Sequence, residues 1–124
     1  MTTKATAKRI EVLVADDNPN IRRTLKDILT EKGYAVETVN DGYELLAYLK
    51  QKSPHVLVLD LIMPQKDGME VFSAVRRISP DTRIIIYTGF QKYEHTLFAK
   101  TADRFLLKSE SPEKLLRAIQ DVIA

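Results

Sequence analysis

Three carboxylates, a hydroxyl and an ammonium stand where apolar runs of this chain end. Residues 10–15 lead into Asp16-Asp17, residues 56–59 into Asp60, residues 83–87 into Thr88-Gly89, and residues 105–107 into Lys108. The run before Asp60 has no polar alternation and is made of Val and Leu, which fits a strand buried on both faces of a parallel sheet. In such sheets ligands bind beyond the carboxyl ends of the strands. A lone aspartate after a strand is commonly a cap or turn former, but four polar strand ends in one chain exceed what packing needs. Brought together by adjacent strands, Asp16, Asp17 and Asp60 would repel one another unless a cation sat among them. All three are hard oxygen ligands, and few protein ligands with room for water suit Mg²⁺ better than zinc. Lys108 can pair with a carboxylate or an anion, Thr88 offers a hydroxyl, and Gly89 leaves its backbone N–H open to close approach. These are the parts needed for phosphoryl transfer to an aspartate.

Strand and helix signals alternate along the whole chain. After the first strand, Asn18-Pro19 reads as an N-cap with proline at the first helical position, Ile21, Leu25, Ile28 and Leu29 recur at helical spacing, and Gly33 is the stop. Residues 34–39 are a second strand. Asp41 and Glu44 form an aspartate version of a capping box, and Leu45, Leu46 and Leu49 give the next helix one apolar face. The central strand, residues 56–60, leads through Met63-Pro64 to Asp67-Gly68, and a third helix turns Val71, Val75 and Ile78 inward until Ser79-Pro80-Asp81. The fourth strand stops at Thr88, and residues 91–101 form a weaker helix of about three turns. Residues 103–107 are the fifth strand, and Ser111-Pro112-Glu113 opens a last helix striped with Leu115, Leu116, Ile119, Val122 and Ile123. Five βα units with short connections imply an α/β fold, a doubly wound five-stranded parallel sheet with helices on both faces.

At 124 residues, 44% hydrophobic and 29% charged, the chain has the size and composition of one globular domain. Residues 1–8 are polar and small and read as a flexible N-terminal segment, leaving residues 9–124 as the domain. With no cysteine, neither disulfides nor thiolate metal sites are possible. No apolar run is long enough for a signal peptide core or a membrane span, so a cytoplasmic protein is expected. A net charge of +2 gives no argument for direct nucleic-acid binding.

In these motifs the chain resembles the response regulator receiver domains of two-component signalling: Asp16-Asp17, then Leu59-Asp60-Leu61-Ile62-Met63-Pro64 with Asp67-Gly68, then Thr88-Gly89 and Lys108. The resemblance covers residues 9–124. It implies a (βα)5 sheet of order 2-1-3-4-5, with Asp60 as the residue phosphorylated by a histidine kinase or histidine phosphotransfer protein. Mg²⁺ would be held by Asp17, Asp60 and the backbone carbonyl of Ile62, with Asp16 acting mostly through water. Thr88 and Lys108 would contact the phosphoryl group beside the Gly89 backbone, and Thr88 with Phe105 would form the switch. Two side chains, Ile62 and Phe90, are placed to govern the phosphate's lifetime; both are large and apolar.

Three departures accompany the resemblance. Ser109 follows Lys108 where the family has proline after a cis bond, and a non-proline cis bond costs about 3–4 kcal/mol, so this loop is strained or takes another path. Only 20 positions separate Thr88 from Lys108, which predicts a shortened or irregular fourth helix. No output domain follows Ala124, so the expected readers are a downstream protein or an output domain absent from this chain. Among rivals, an aspartate-nucleophile phosphatase needs an acid where Ile62 stands, and a nucleotide-binding module needs a glycine-rich loop where Asp16-Asp17-Asn18-Pro19 stands. A receiver-fold docking module that works without phosphorylation is the alternative that the residues leave open.

Overall fold

A computed structural model describes residues 9–63 and 68–124, leaving the expected N-terminal segment, Pro64 and Asp67 outside the described residues. Five strands and five helices alternate: β1 (Glu11–Ala15), α1 (Pro19–Glu31), β2 (Ala35–Val39), α2 (Gly42–Gln51), β3 (Val56–Leu59), α3 (Gly68–Ile78), β4 (Arg83–Thr88), α4 (Leu97–Thr101), β5 (Arg104–Leu107) and α5 (Pro112–Ile123). The sheet is parallel throughout, in the order β2-β1-β3-β4-β5.

The period-2 alternation of strand side chains sorts the core into two layers. Leu13, Leu57, Leu59, Ile84 and Ile86 face α2, α3 and α4, where they meet Leu45, Leu49, Val71, Val75 and Ala99. Val12, Val14, Val56, Val58 and Ile85 face the other way, against Leu25 and Leu29 of α1 and Leu115 and Ile119 of α5. β3 is buried at every residue, as its unbroken apolar run requires. No helix among the described residues is long and apolar enough to cross a membrane.

Local chemistry sets the element ends. Asn18 caps α1 by accepting from the Asn20 and Ile21 amides at 2.8 and 3.3 Å. Past its end Gly33 takes φ +97°, a left-handed conformation that glycine adopts without a Cβ penalty. Asp41 accepts from the Glu44 amide at 2.8 Å, while Glu44 reaches back to the Asn40 amide, one residue before the capping-box position. At the start of α3, a Cβ on Gly68 would lie 2.5 Å from the Leu61 carbonyl oxygen. That close approach lets the helix pack against the turn that follows Asp60.

The region expected to hold a three-turn helix is broken. A 3-10 turn spans Gln91–Tyr93 and α4 holds five residues. Thr96 fills the gap, its hydroxyl donating to the Tyr93 carbonyl at 2.6 Å and accepting from the Ala99 amide. A side chain that hydrogen-bonds locally in this way competes with continuous helix. Just before β5, Asp103 accepts from the Ile84 amide at 2.7 Å and lies 3.5 Å from Arg76 and 3.7 Å from Arg83. Arg76 also donates to the Thr101 carbonyl at 3.1 Å, fixing the end of α4 to α3.

Candidate functional site

Strand register brings the polar ends together. Ala15 pairs with Leu59 across β1 and β3, so the next residues, Asp16 and Asp60, emerge side by side. Backbone bonds continue the ladder past the strands: the Asp60 amide donates to Ala15 and the Asp16 amide to Val39. On the other side Thr88 pairs with Leu107, and the Lys108 amide donates to the Thr88 carbonyl at 2.8 Å. Asp16, Asp60 and Thr88 are buried, whereas Asp17 is exposed.

Asp16 and Asp60 are held by matching devices. Each uses Oδ1 to accept the amide two residues on, Asn18 at 2.9 Å and Ile62 at 3.1 Å, an Asx turn in both cases. That leaves each Oδ2 turned to Lys108, whose Nζ lies 2.7 Å from Asp16 and 3.0 Å from Asp60. One ammonium thus bridges two buried carboxylates. Burial works against the charge on Lys108, but its hydrogen bonds to Asp16 and Asp60 outweigh it and hold its pKa above the ordinary lysine value. Burial raises Asp60 above the usual carboxylate value; the Ile62 amide and Lys108 pull it back in part, and Asp16 pushes it up further.

Carboxylate oxygens of Asp16, Asp17 and Asp60 lie within 4.8 Å of one another, the one such metal-capable cluster among the described residues. An all-oxygen donor set with one exposed member fits a hard cation that keeps water ligands, as Mg²⁺ does. Thr88 accepts from the Phe90 amide at 3.3 Å through its hydroxyl oxygen, leaving its proton available as a donor. A Cβ on Gly89 would meet nothing within 4 Å, and its φ lies outside the left-handed region. Neither packing nor backbone conformation demands glycine there, and the residue leaves the approach to its amide open.

The remaining expected residues ring this centre. Ile62 is 41% exposed and Phe90 49%, and the Phe90 ring meets Tyr93 edge to face with centroids 6.3 Å apart. Lys92 lies over both rings. Phe105 is half-buried against the α2, α3 and α4 layer. No peptide bond among the described residues is cis, so Lys108-Ser109 takes the other path, a trans bond. His55 and His95 stand apart from the cluster, His55 accepting from the Glu11 amide and His95 lying largely in solvent beside Glu94.

Sequence reasoning passed over two arginines, one of which belongs to the scaffold of this site. Arg22 and Arg76 each open an Arg-Arg pair and donate to main-chain carbonyls, Arg76 to those of Thr82 and Thr101, away from the strand ends that carry the site. Arg22 grips the Asp16 carbonyl at 2.7 Å.

A family model described as the response regulator receiver domain matches residues 12–120. The Response regulator MprA of Mycobacterium leprae is 33% identical over 92% of this chain and 51% of that protein, so the chain spans about half the length of such relatives. The response regulator protein TrrA of Thermotoga maritima, solved in complex with Mg(2+)-BeF, superposes with a TM-score of 0.84 at 33% identity, covering 90% of this chain and 97% of that one. TrrA in complex with the histidine kinase ThkA gives 0.84 at 32% identity, covering 92% and 98%.

Proposed function

Because the chain belongs to the response regulator receiver domain family, we propose that it is a phosphorylation switch that accepts a phosphoryl group on Asp60 from a phosphohistidine donor. The observation that carries this reading is the coupling of Asp60 to Lys108 at 3.0 Å inside a cluster of three aspartates. In the transfer, an Asp60 carboxylate oxygen attacks phosphorus, the oxygen–phosphorus bond forms, and the phosphorus–nitrogen bond of the donor imidazole breaks. Lys108, already charged and oriented, exchanges its contact with Asp60 for one with a phosphoryl oxygen, while the Thr88 hydroxyl and the Gly89 amide donate to the others. Asp17, Asp60 and the Ile62 carbonyl would hold Mg²⁺, with Asp16 reaching it through water. When bound, this ion would neutralise charge on the transferring group.

The complex of TrrA with a histidine kinase supports a kinase or a histidine phosphotransfer protein as donor. The output would be read by a downstream protein or by a further domain, acting in the cytoplasm. The domain modifies itself once per cycle and so works as a switch rather than an enzyme with turnover, and its near-neutral charge supports no direct role for nucleic acid. Incubation with acetyl phosphate and Mg²⁺ followed by intact-mass measurement tests the reading. One labile phosphoryl adduct is expected, lost when the metal is chelated and absent in Asp60→Asn. An unmodified wild-type chain would overturn it.

A further inference from the structure

The turn after β5 carries an ordered carboxylate to which the phosphoacceptor reading gives no task. Glu110 folds back on Leu107 twice: its amide donates to the Leu107 carbonyl at 3.0 Å, and its Oε1 accepts from the Leu107 amide at 3.0 Å. Lys108 and Ser109 are thereby the two central residues of a turn pinned at one residue pair. The second contact answers a need of the sheet. β5 is an edge strand, and since the Lys108 amide points inward to Thr88, the amide before it points away from the sheet and lacks a ladder partner. Glu110 supplies that acceptor. Its other oxygen, Oε2, accepts from Lys114 Nζ at 2.6 Å in the first turn of α5, so the clamp is itself braced by the last helix.

Resting on the phosphoacceptor reading, we propose that Glu110, braced by Lys114, is the positioning residue for Lys108. By fixing the turn whose first central residue bears the ammonium, it keeps that ammonium aimed at Asp60 before a phosphoryl group arrives. With serine after the lysine and a trans bond between them, the hydrogen bonds of Glu110 do the work of holding this loop. Pre-organisation of this kind acts on the phosphoryl contact, which needs Lys108, and leaves in place the carboxylates of Asp17 and Asp60 and the Ile62 carbonyl that would hold the metal.

Titration of the full chain with Mg²⁺ alone, then with beryllofluoride at saturating Mg²⁺, separates the two. Removing one hydrogen-bond acceptor should weaken beryllofluoride binding about fivefold in Glu110→Ala, with Mg²⁺ affinity no weaker than in wild type. Glu110→Gln keeps an acceptor for the Leu107 amide and should recover most of the lost affinity. Beryllofluoride binding in Glu110→Ala equal to wild type would overturn the proposal, as would a parallel loss of both ligands, which would mark Glu110 as a general support of the fold. A wild-type chain that binds Mg²⁺ but no beryllofluoride would instead sink the phosphoacceptor reading itself.

Discussion

Lys108 donates to Asp60 across 48 positions of sequence at 3.0 Å, tying the end of β5 to the end of β3. The same ammonium lies 2.7 Å from Asp16, so one cation bridges two buried carboxylates and offsets part of their repulsion.

Removing that cation should therefore cost stability in a metal-dependent way. Lys108→Ala leaves Asp16 and Asp60 facing each other, and in chelator an unfolding loss of about 2 kcal/mol is expected. With millimolar Mg²⁺ the loss should shrink, because the ion takes over the neutralising role. Chemical denaturation under both conditions checks this; a loss of the same size in each would show that the two charges do not compete.

The pH dependence of Asp60 has a definite sign. Burial raises its pKa above the ordinary 3.8, so the folded state holds this proton more tightly than the unfolded chain does. Ionising Asp60 then costs stability, a cost absent below the ordinary value and complete above the raised one. Asp60→Asn should be more stable than wild type at neutral pH in chelator, and the advantage should fade as pH drops through that window. Paired denaturation curves measure it, and an advantage independent of pH would assign the effect to something other than this carboxyl.

The phosphorylated form should be long-lived. Hydrolysis needs a water in line with the Asp60–phosphorus bond, and neither Ile62 nor Phe90 can orient one by hydrogen bonding. Phe90 is half-exposed and edge-on to Tyr93. Ile62→Asn and Phe90→Glu should each speed the decay of phosphoprotein, by about tenfold if a positioned water is gained. Decay at the wild-type rate in both variants would remove these side chains from the account.

Phe105 offers a readout of switching. It belongs to the same layer as Ala99 of α4 and follows β4 in register, pairing with Ile86 two residues before Thr88. Movement of Thr88 toward a phosphoryl group would open space for the ring, so its NMR signals should shift when beryllofluoride binds with Mg²⁺, and Thr88→Val should abolish the shift. Ring signals unmoved in wild type would identify Phe105 as fixed core.

The strands and the five polar site residues were legible in sequence because buried parallel strands write unbroken apolar runs, and their ends are where a run meets Asp, Thr or Lys. Strand order followed from the family resemblance, as did the shortened fourth helix, expected from the 20 positions between Thr88 and Lys108, whereas the pattern of residues 91–101 alone read as a helix of about three turns. What stayed illegible are side-chain contacts to main-chain groups, near or far in sequence, that obey no period. The Arg22 grip on the Asp16 carbonyl, the Arg76 bond from α3 to the Thr101 carbonyl, and the return of Glu110 to the Leu107 amide are each a single charged side chain satisfying a main-chain group. In sequence such residues are indistinguishable from a solvated surface.

The most direct test of the central claim locates the phosphoryl group itself. Protein treated with acetyl phosphate and Mg²⁺ is reduced with borohydride, which converts an acyl phosphate to an alcohol, and then mapped by peptide mass spectrometry. Homoserine at position 60 alone is the predicted result. Homoserine at Asp16 or Asp17 with Asp60 intact, or no reduced residue at all, would contradict the account.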